Sequence, residues 1–291
     1  MHTKKDKLTA YLFISPMMLG FVLTMLGPFL YTLYMSFTNW PLLGKAKWVG
    51  GENYAKLIDD PNFREVVGNT FWFASGLVPL NIIMALGLAL LLYKPLKGIG
   101  FFRTIIFIPV MTSIVVWSIL WRYMFATDSG FINEMLSWFG IQGPAWLYNS
   151  HLAMWVVIVT SALKNVGLNT VLFIAALQQV PASMYEAAEL DGAKGFRLFR
   201  SITLPMISPT VFLTVILTII GSLKVFSQVY VMTGGGPGNA TKVLVYYIWE
   251  QGFKLFNFGY ASSMAMVLFL IILVFTVVQW SIRKRWVVNE E

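Results

Sequence analysis

"EAAELDGAKGFRLFRSITLP" spans Glu186–Pro205 and is charged where most of the chain is apolar. It carries Glu186, Glu189, Asp191, Lys194, Arg197 and Arg200 between two long hydrophobic runs. Pro181 and Ser183 mark a helix start just upstream. Met184–Leu190 is made of good helix formers, and Asp191-Gly192 reads as a turn. A second short helix then runs from about Ala193 to Ser201, and Leu204-Pro205 ends it. Phe196, Phe199 and Ile202 share one face of that helix, flanked by Arg197 and Arg200. A plain connector needs only a few residues, so this helix–turn–helix is a surface element. Two readings fit the residues: an amphipathic segment lying in lipid head groups, or a docking surface for a protein. The paired alanines suit close packing against protein.

The flanking runs set the class. The chain has 291 residues, 57% hydrophobic and 12% charged. A soluble domain carries roughly 25% charged residues. Six segments reach the roughly 20 apolar residues that a bilayer core demands: near 9–37, 67–93, 103–125, 152–179, 206–231 and 260–282. The fold expected is all-α, a polytopic membrane protein of one domain over 1–291. The first segment is too long for the core of a cleavable signal peptide. Pro16 and Pro28 inside it are tolerated in membrane helices.

Loop charges set an orientation. One side holds Lys4, Lys5, Lys7, Lys94, Lys97, Arg103, Lys194, Arg197, Arg200, Arg283, Lys284 and Arg285. The other holds only Lys45, Lys47, Lys56, Arg64, Lys242 and Lys254. The excess puts both termini and the 181–205 element in the cytoplasm. The net charge of +8 follows from this and not from nucleic-acid binding, since no basic patch is interleaved with aromatics.

Several chemistries drop out. There is no cysteine, and His2 and His151 are the only histidines, which excludes thiolate and His-rich metal sites. "GGGPGN" at 234–239 lacks the Gly-Lys-Ser/Thr of a phosphate loop and reads as a turn. Asp and Glu are absent from the expected spans, which counts against a proton- or sodium-coupled secondary transporter; that class and a channel-like membrane protein for a polar solute are the alternative reading. The same absence counts against a membrane-embedded enzyme.

Polar residues inside two spans mark a path for a solute. Ser161, Asn165 and Asn169 repeat every four residues, with Lys164 beside them. Gly221, Lys224 and Gln228 share a face of the fifth span. The competing use is hydrogen bonding between helices. Phe226, Tyr230 and Trp117 offer aromatic faces, and the two lysines would suit an anionic solute.

The 186–205 stretch resembles the EAA loop of permease subunits of bacterial and archaeal ABC importers. Glu186, Ala187, Ala188, Asp191, Gly192, Ala193, Ile202, Leu204 and Pro205 carry the likeness. "AALQQVPASMYEAAELDGA", "VYVMTGGGPGNAT" and "YLFISPMMLGFVLTMLGPFLYTLYMSFTNW" resemble the carbohydrate-uptake branch, so the likeness covers nearly the whole chain. It implies a six-helix permease in the cytoplasmic membrane, paired with a second, similar permease. It also implies a cytoplasmic ATPase dimer that binds ATP and Mg, an extracytoplasmic solute-binding protein, and no cofactor or catalysis in this chain. Di- or oligosaccharides are the implied cargo, with a glycerol-phosphate-like solute as the neighbouring case. Carried over, Glu186, Ala187, Ala188, Asp191 and Gly192 dock on the ATPase, with Phe196 and Phe199 as apolar anchors.

Overall fold

The computed structural model describes residues 4–40, 44–94 and 97–286, with side chains over 11–283. The basic side chains of Lys4, Lys5, Lys7, Lys284 and Arg285, on which the orientation partly rests, lie outside that range. The protein is all-α. The strands described are β1 (Thr38–Asn39) and β2 (Lys47–Trp48), an antiparallel pair. Contacts divide the chain into two units, the first ending at Asp60 and including Ile248–Leu270, the second built on Pro61–Tyr247.

In the first unit, α1 (Tyr11–Ser36) is long and apolar enough to cross a membrane. It widens into a π-turn at Val22–Leu26, two residues before Pro28. A proline ring clashes with the carbonyl four residues back, and the wider turn gives that carbonyl room. Beyond it, α2 (Glu52–Asp59) is tied to the hairpin by Asn53, whose amide donates to the carbonyls of Ser36 and Thr38 at 2.9 Å each.

The second unit begins with α3 (Pro61–Leu92). It starts six residues before the segment expected at 67–93, because the charged turn with Arg64 and Glu65 stays helical. The chain continues through α4 (Ile99–Met111), α5 (Ile114–Met124), α6 (Phe131–Ser137) and α7 (Ala153–Gln179). Then come α8 (Ala182–Leu190), α9 (Phe196–Met206), α10 (Ser208–Leu223) and α11 (Ser227–Met232). After α12 (Leu244–Trp249), α13 (Phe258–Trp286) is the last helix described.

The centre of this unit is α3 packed on α7. Phe73, Leu77, Asn81, Ala85, Ala89 and Leu92 form the buried stripe of α3. Ala85 and Ala89 meet Val166, Phe173 and Ile174 of α7 in one cluster. Small residues four apart let two membrane helices approach, and dispersion contacts then hold them where lipid offers no hydrophobic gain. Arg103 closes the turn into α4, donating through Nε and Nη2 to the Leu92 carbonyl at 3.2 and 2.6 Å, so a cation caps the C-terminus of α3.

Two expected spans are not straight rods. The third, expected at 103–125, breaks at Thr112–Ser113, and α4 and α5 meet at 100°. Both break residues are extended, with ψ of 139°. The fifth, expected at 206–231, ends its main helix at Leu223. Lys224–Phe226 leave helical geometry before α11. On its other side, α9 joins α10 at 73°. The helix expected to end by Leu204-Pro205 continues to Met206 through a π-turn at Phe199–Thr203. That turn again lies two residues before a proline.

Candidate functional site

A cavity of about 350 Å³ opens between α3, α7, α10 and α11. Six of the seven residues picked from the sequence as path-lining face it: Ser161, Asn165, Asn169, Gly221, Lys224 and Gln228. They converge because a four-residue repeat keeps Ser161, Asn165 and Asn169 on one face of α7. The break after Leu223 then turns Lys224 and Gln228 toward that face.

Lys164 corrects the expectation. It is buried, and its Nζ donates to the carbonyls of Pro109 and Val110 at 2.6 and 3.2 Å. Those carbonyls lie in the last turn of α4, where helical donors run out, although Pro109 also accepts from Thr112 N–H at 3.2 Å. A cation there satisfies them and complements the helix dipole, which explains why the third span breaks where it does. One turn on, Gly167 packs so tightly that an added Cβ would stand 2.2 Å from the Ile106 carbonyl oxygen. This face of α7 is structural.

The cavity face has a different character. Asn169 donates to Asn81 Oδ1 and, at 3.3 Å, to Thr218 Oγ1. Asn81 in turn donates to the Ala162 carbonyl at 3.0 Å. These bonds join α3, α7 and α10, each worth about 0.6 kcal/mol in a membrane interior. Asn165 donates back to the Ser161 carbonyl at 3.1 Å. Ser161 Oγ is buried and has no hydrogen-bond partner among the described residues. Lys224 is exposed to the cavity, and an added Cβ at Gly221 would meet only open space.

Of the three aromatics suggested for stacking, Phe226 alone lines the cavity. Tyr230 stacks on it at 5.4 Å, with Tyr246 at 6.2 Å. Trp117 is committed elsewhere, donating from Nε1 to the Thr160 carbonyl at 2.9 Å. Sequence reasoning missed Asn81, Thr218, Ser222 and Ser227. Asn81 carried a readable signal, an amide in the middle of an uncharged apolar run.

The 181–205 element is a hairpin of helices, as its sequence indicates. Pro181 is extended, and α8 follows it. Asp191-Gly192 closes α8 with a paired cap: Ala193 N–H donates to the Ala188 carbonyl at 2.9 Å, and Gly192 N–H to Glu189 at 3.0 Å. That pattern needs a left-handed residue, and Gly192 has φ of +79°. Ala188 and Ala193, the positions that such a cap brings together, are both buried. The second helix starts at Phe196, three residues later than expected, after Gly195 at φ +53°. Tyr185 Oη bonds Thr203 Oγ1 at 3.3 Å and ties the two arms.

The arms present a polar and aromatic surface. Glu186, Ala187, Asp191 and Gly192 are exposed, while Ala188 faces inward. Phe196 is 75% exposed. Phe199 is half-buried, and the two rings lie 6.2 Å apart. The "GGGPGN" stretch is a turn pinned by Asn69, which donates to the carbonyls of Asn239 and Lys242 at 2.8 and 3.1 Å.

Residues 77–287 match the family of binding-protein-dependent transport system inner membrane components. The chain is 36% identical over 283 residues to the lactose transport system permease protein LacF of Rhizobium radiobacter, covering 94% of each chain. It is 33% identical over 277 residues to the arabinooligosaccharides transport system permease protein AraP of Halalkalibacterium halodurans, covering 94% of this chain and 87% of the relative. In fold it is similar to a chain of a bacterial alginate ABC transporter solved with an alginate pentasaccharide-bound periplasmic protein. That likeness has a TM-score of 0.86 and 21% identity, covering 97% of this chain and 96% of the other.

Proposed function

This chain belongs to the family of binding-protein-dependent transport system inner membrane components, and from that premise we propose that it is the permease subunit of an ATP-driven sugar importer. The observation that carries the reading is the cavity at membrane depth, walled by Ser161, Asn165, Asn169, Lys224 and Gln228. Polar groups in a bilayer are costly and face either a partner or a path. Ser161 Oγ, buried beside the cavity, has no protein partner among the described residues, a polar group left unsatisfied at the wall of the path. Phe226 adds a flat apolar face, which suits a sugar ring. The names of LacF and AraP support di- or oligosaccharides as cargo.

In this reading the chain forms half of the path and a second, similar permease forms the other. The Glu186–Phe199 hairpin docks on a cytoplasmic ATPase dimer that binds ATP and Mg, with both termini on that side. A solute-binding protein delivers cargo from outside, and this chain catalyses nothing itself. ATP binding to the dimer biases one arrangement of the assembly, and the hairpin passes that bias to the helices.

Purification of the complex and uptake in proteoliposomes test this. An ATPase should co-purify, and Glu186→Ala should cut ATP-driven uptake about tenfold, equivalent to about 1.4 kcal/mol of coupling. A complex that purifies without an ATPase, together with full uptake by Glu186→Ala, would sink the proposal. The cargo itself is read by finding which sugar raises the Tm of the cognate binding protein.

A further inference from the structure

The segment joining α5 to α7 plays no part in the cavity or the hairpin. Over 125–152 it contains no Lys or Arg, and its acids are Asp128 and Glu134. It is nonetheless firmly built. Asn133 Nδ2 donates to the carbonyls of Thr127 and Pro144 at 2.9 and 3.2 Å, and Trp146 Nε1 donates to Asn133 Oδ1 at 2.6 Å. Trp146 also packs edge-on against Phe125 at 5.6 Å, in a cluster with Leu147, Val156 and Met232.

A water-exposed loop would turn its apolar groups inward. Here, beyond the apolar cluster under Trp146, a second set of apolar groups is turned outward from the amide hub. Phe131, Met135 and Trp138 are exposed at i, i+4 and i+7, one face of α6 and its last turn. Phe139 follows at 77% exposure, then Ile141. The chain's path says what lies beside them. On the transmembrane reading, α5, ending at Met124, and α7, beginning at Ala153, both meet the membrane surface here. Their connector therefore runs at head-group depth, where tryptophan and other amphipathic rings concentrate.

We propose that this segment is an interfacial anchor, its Phe131–Met135–Trp138–Phe139 face lying about 5–10 Å into the boundary between head groups and acyl chains. With no cation in the segment, the attachment draws on apolar area and is indifferent to anionic lipid. The inference rests on the transmembrane reading but not on the identity of the solute.

The chain has no cysteine, so single-site labels can be placed directly. Phe139→Cys, Trp138→Cys and Glu134→Cys, each carrying a nitrobenzoxadiazole label, are to be compared in the intact complex reconstituted in phosphatidylcholine. The 138 and 139 labels should be quenched by shallow spin-labelled lipid about twofold more than the 134 label, and iodide should reach them least. Addition of phosphatidylglycerol should change neither result. The proposal is overturned if iodide reaches all three labels equally, or if the 138 and 139 labels become shielded only when the solute-binding protein is added. If one aromatic variant fails to assemble, the other gives the same reading.

Discussion

The two long sides of α7 use polar chemistry for opposite ends. Toward α4, Lys164 is spent on the carbonyls of Pro109 and Val110, and Gly167 lets the Ile106 backbone in. Toward the cavity, Ser161 Oγ has no partner among the described residues, and Lys224 across the gap is exposed. A lysine in a membrane helix is thus no marker of a path by itself. What decides is whether a backbone end lies within its reach.

The contrast is open to attack from the largest effect downward. Gly167→Ala should cost about 3 kcal/mol, since the Ile106 carbonyl cannot move without α4, and thermal unfolding of the purified complex should show it. Lys164→Met should cost about 2 kcal/mol by removing the ammonium donor from the Pro109 and Val110 carbonyls, again read as a lower Tm. Gly192→Ala tests the hairpin: the left-handed conformation should cost about 1–2 kcal/mol. Because its Cβ would meet open space, that loss is pure backbone strain, and Gly192→Asn should recover part of it in the same unfolding assay. Ser161→Ala and Lys224→Met should leave stability within about 0.5 kcal/mol while lowering uptake. A Tm drop for Lys224→Met as large as that for Lys164→Met would erase the difference between the two sides.

The hairpin was readable because its shape is local. Pro181 starts a helix, Gly192 permits the left-handed cap, and both act within a few residues. The same holds for the fourth span, expected at 152–179 and observed as Ala153–Gln179, where one uninterrupted apolar pattern suffices. The cavity was legible in part, since a four-residue repeat on α7 follows from helix geometry. Lys164 was misplaced because its partners are 55 and 54 residues away, and no spacing on α7 reveals them. The break at Thr112–Ser113 was missed for the same reason. Pro109 hinted at it, but the ammonium group that makes the break tolerable comes from another helix.

The 100° joint between α4 and α5 has a mechanical meaning. Two extended residues at a corner carry no thrust, so a push along α4 arrives at α5 as a turn about the joint. By contrast α7 is unbroken for 27 residues, about 40 Å at 1.5 Å per residue, and it reaches α8 only through Val180 and Pro181, both extended. A push along its axis would move α7 as one rod, and α4, bonded to it through Lys164, would move with it.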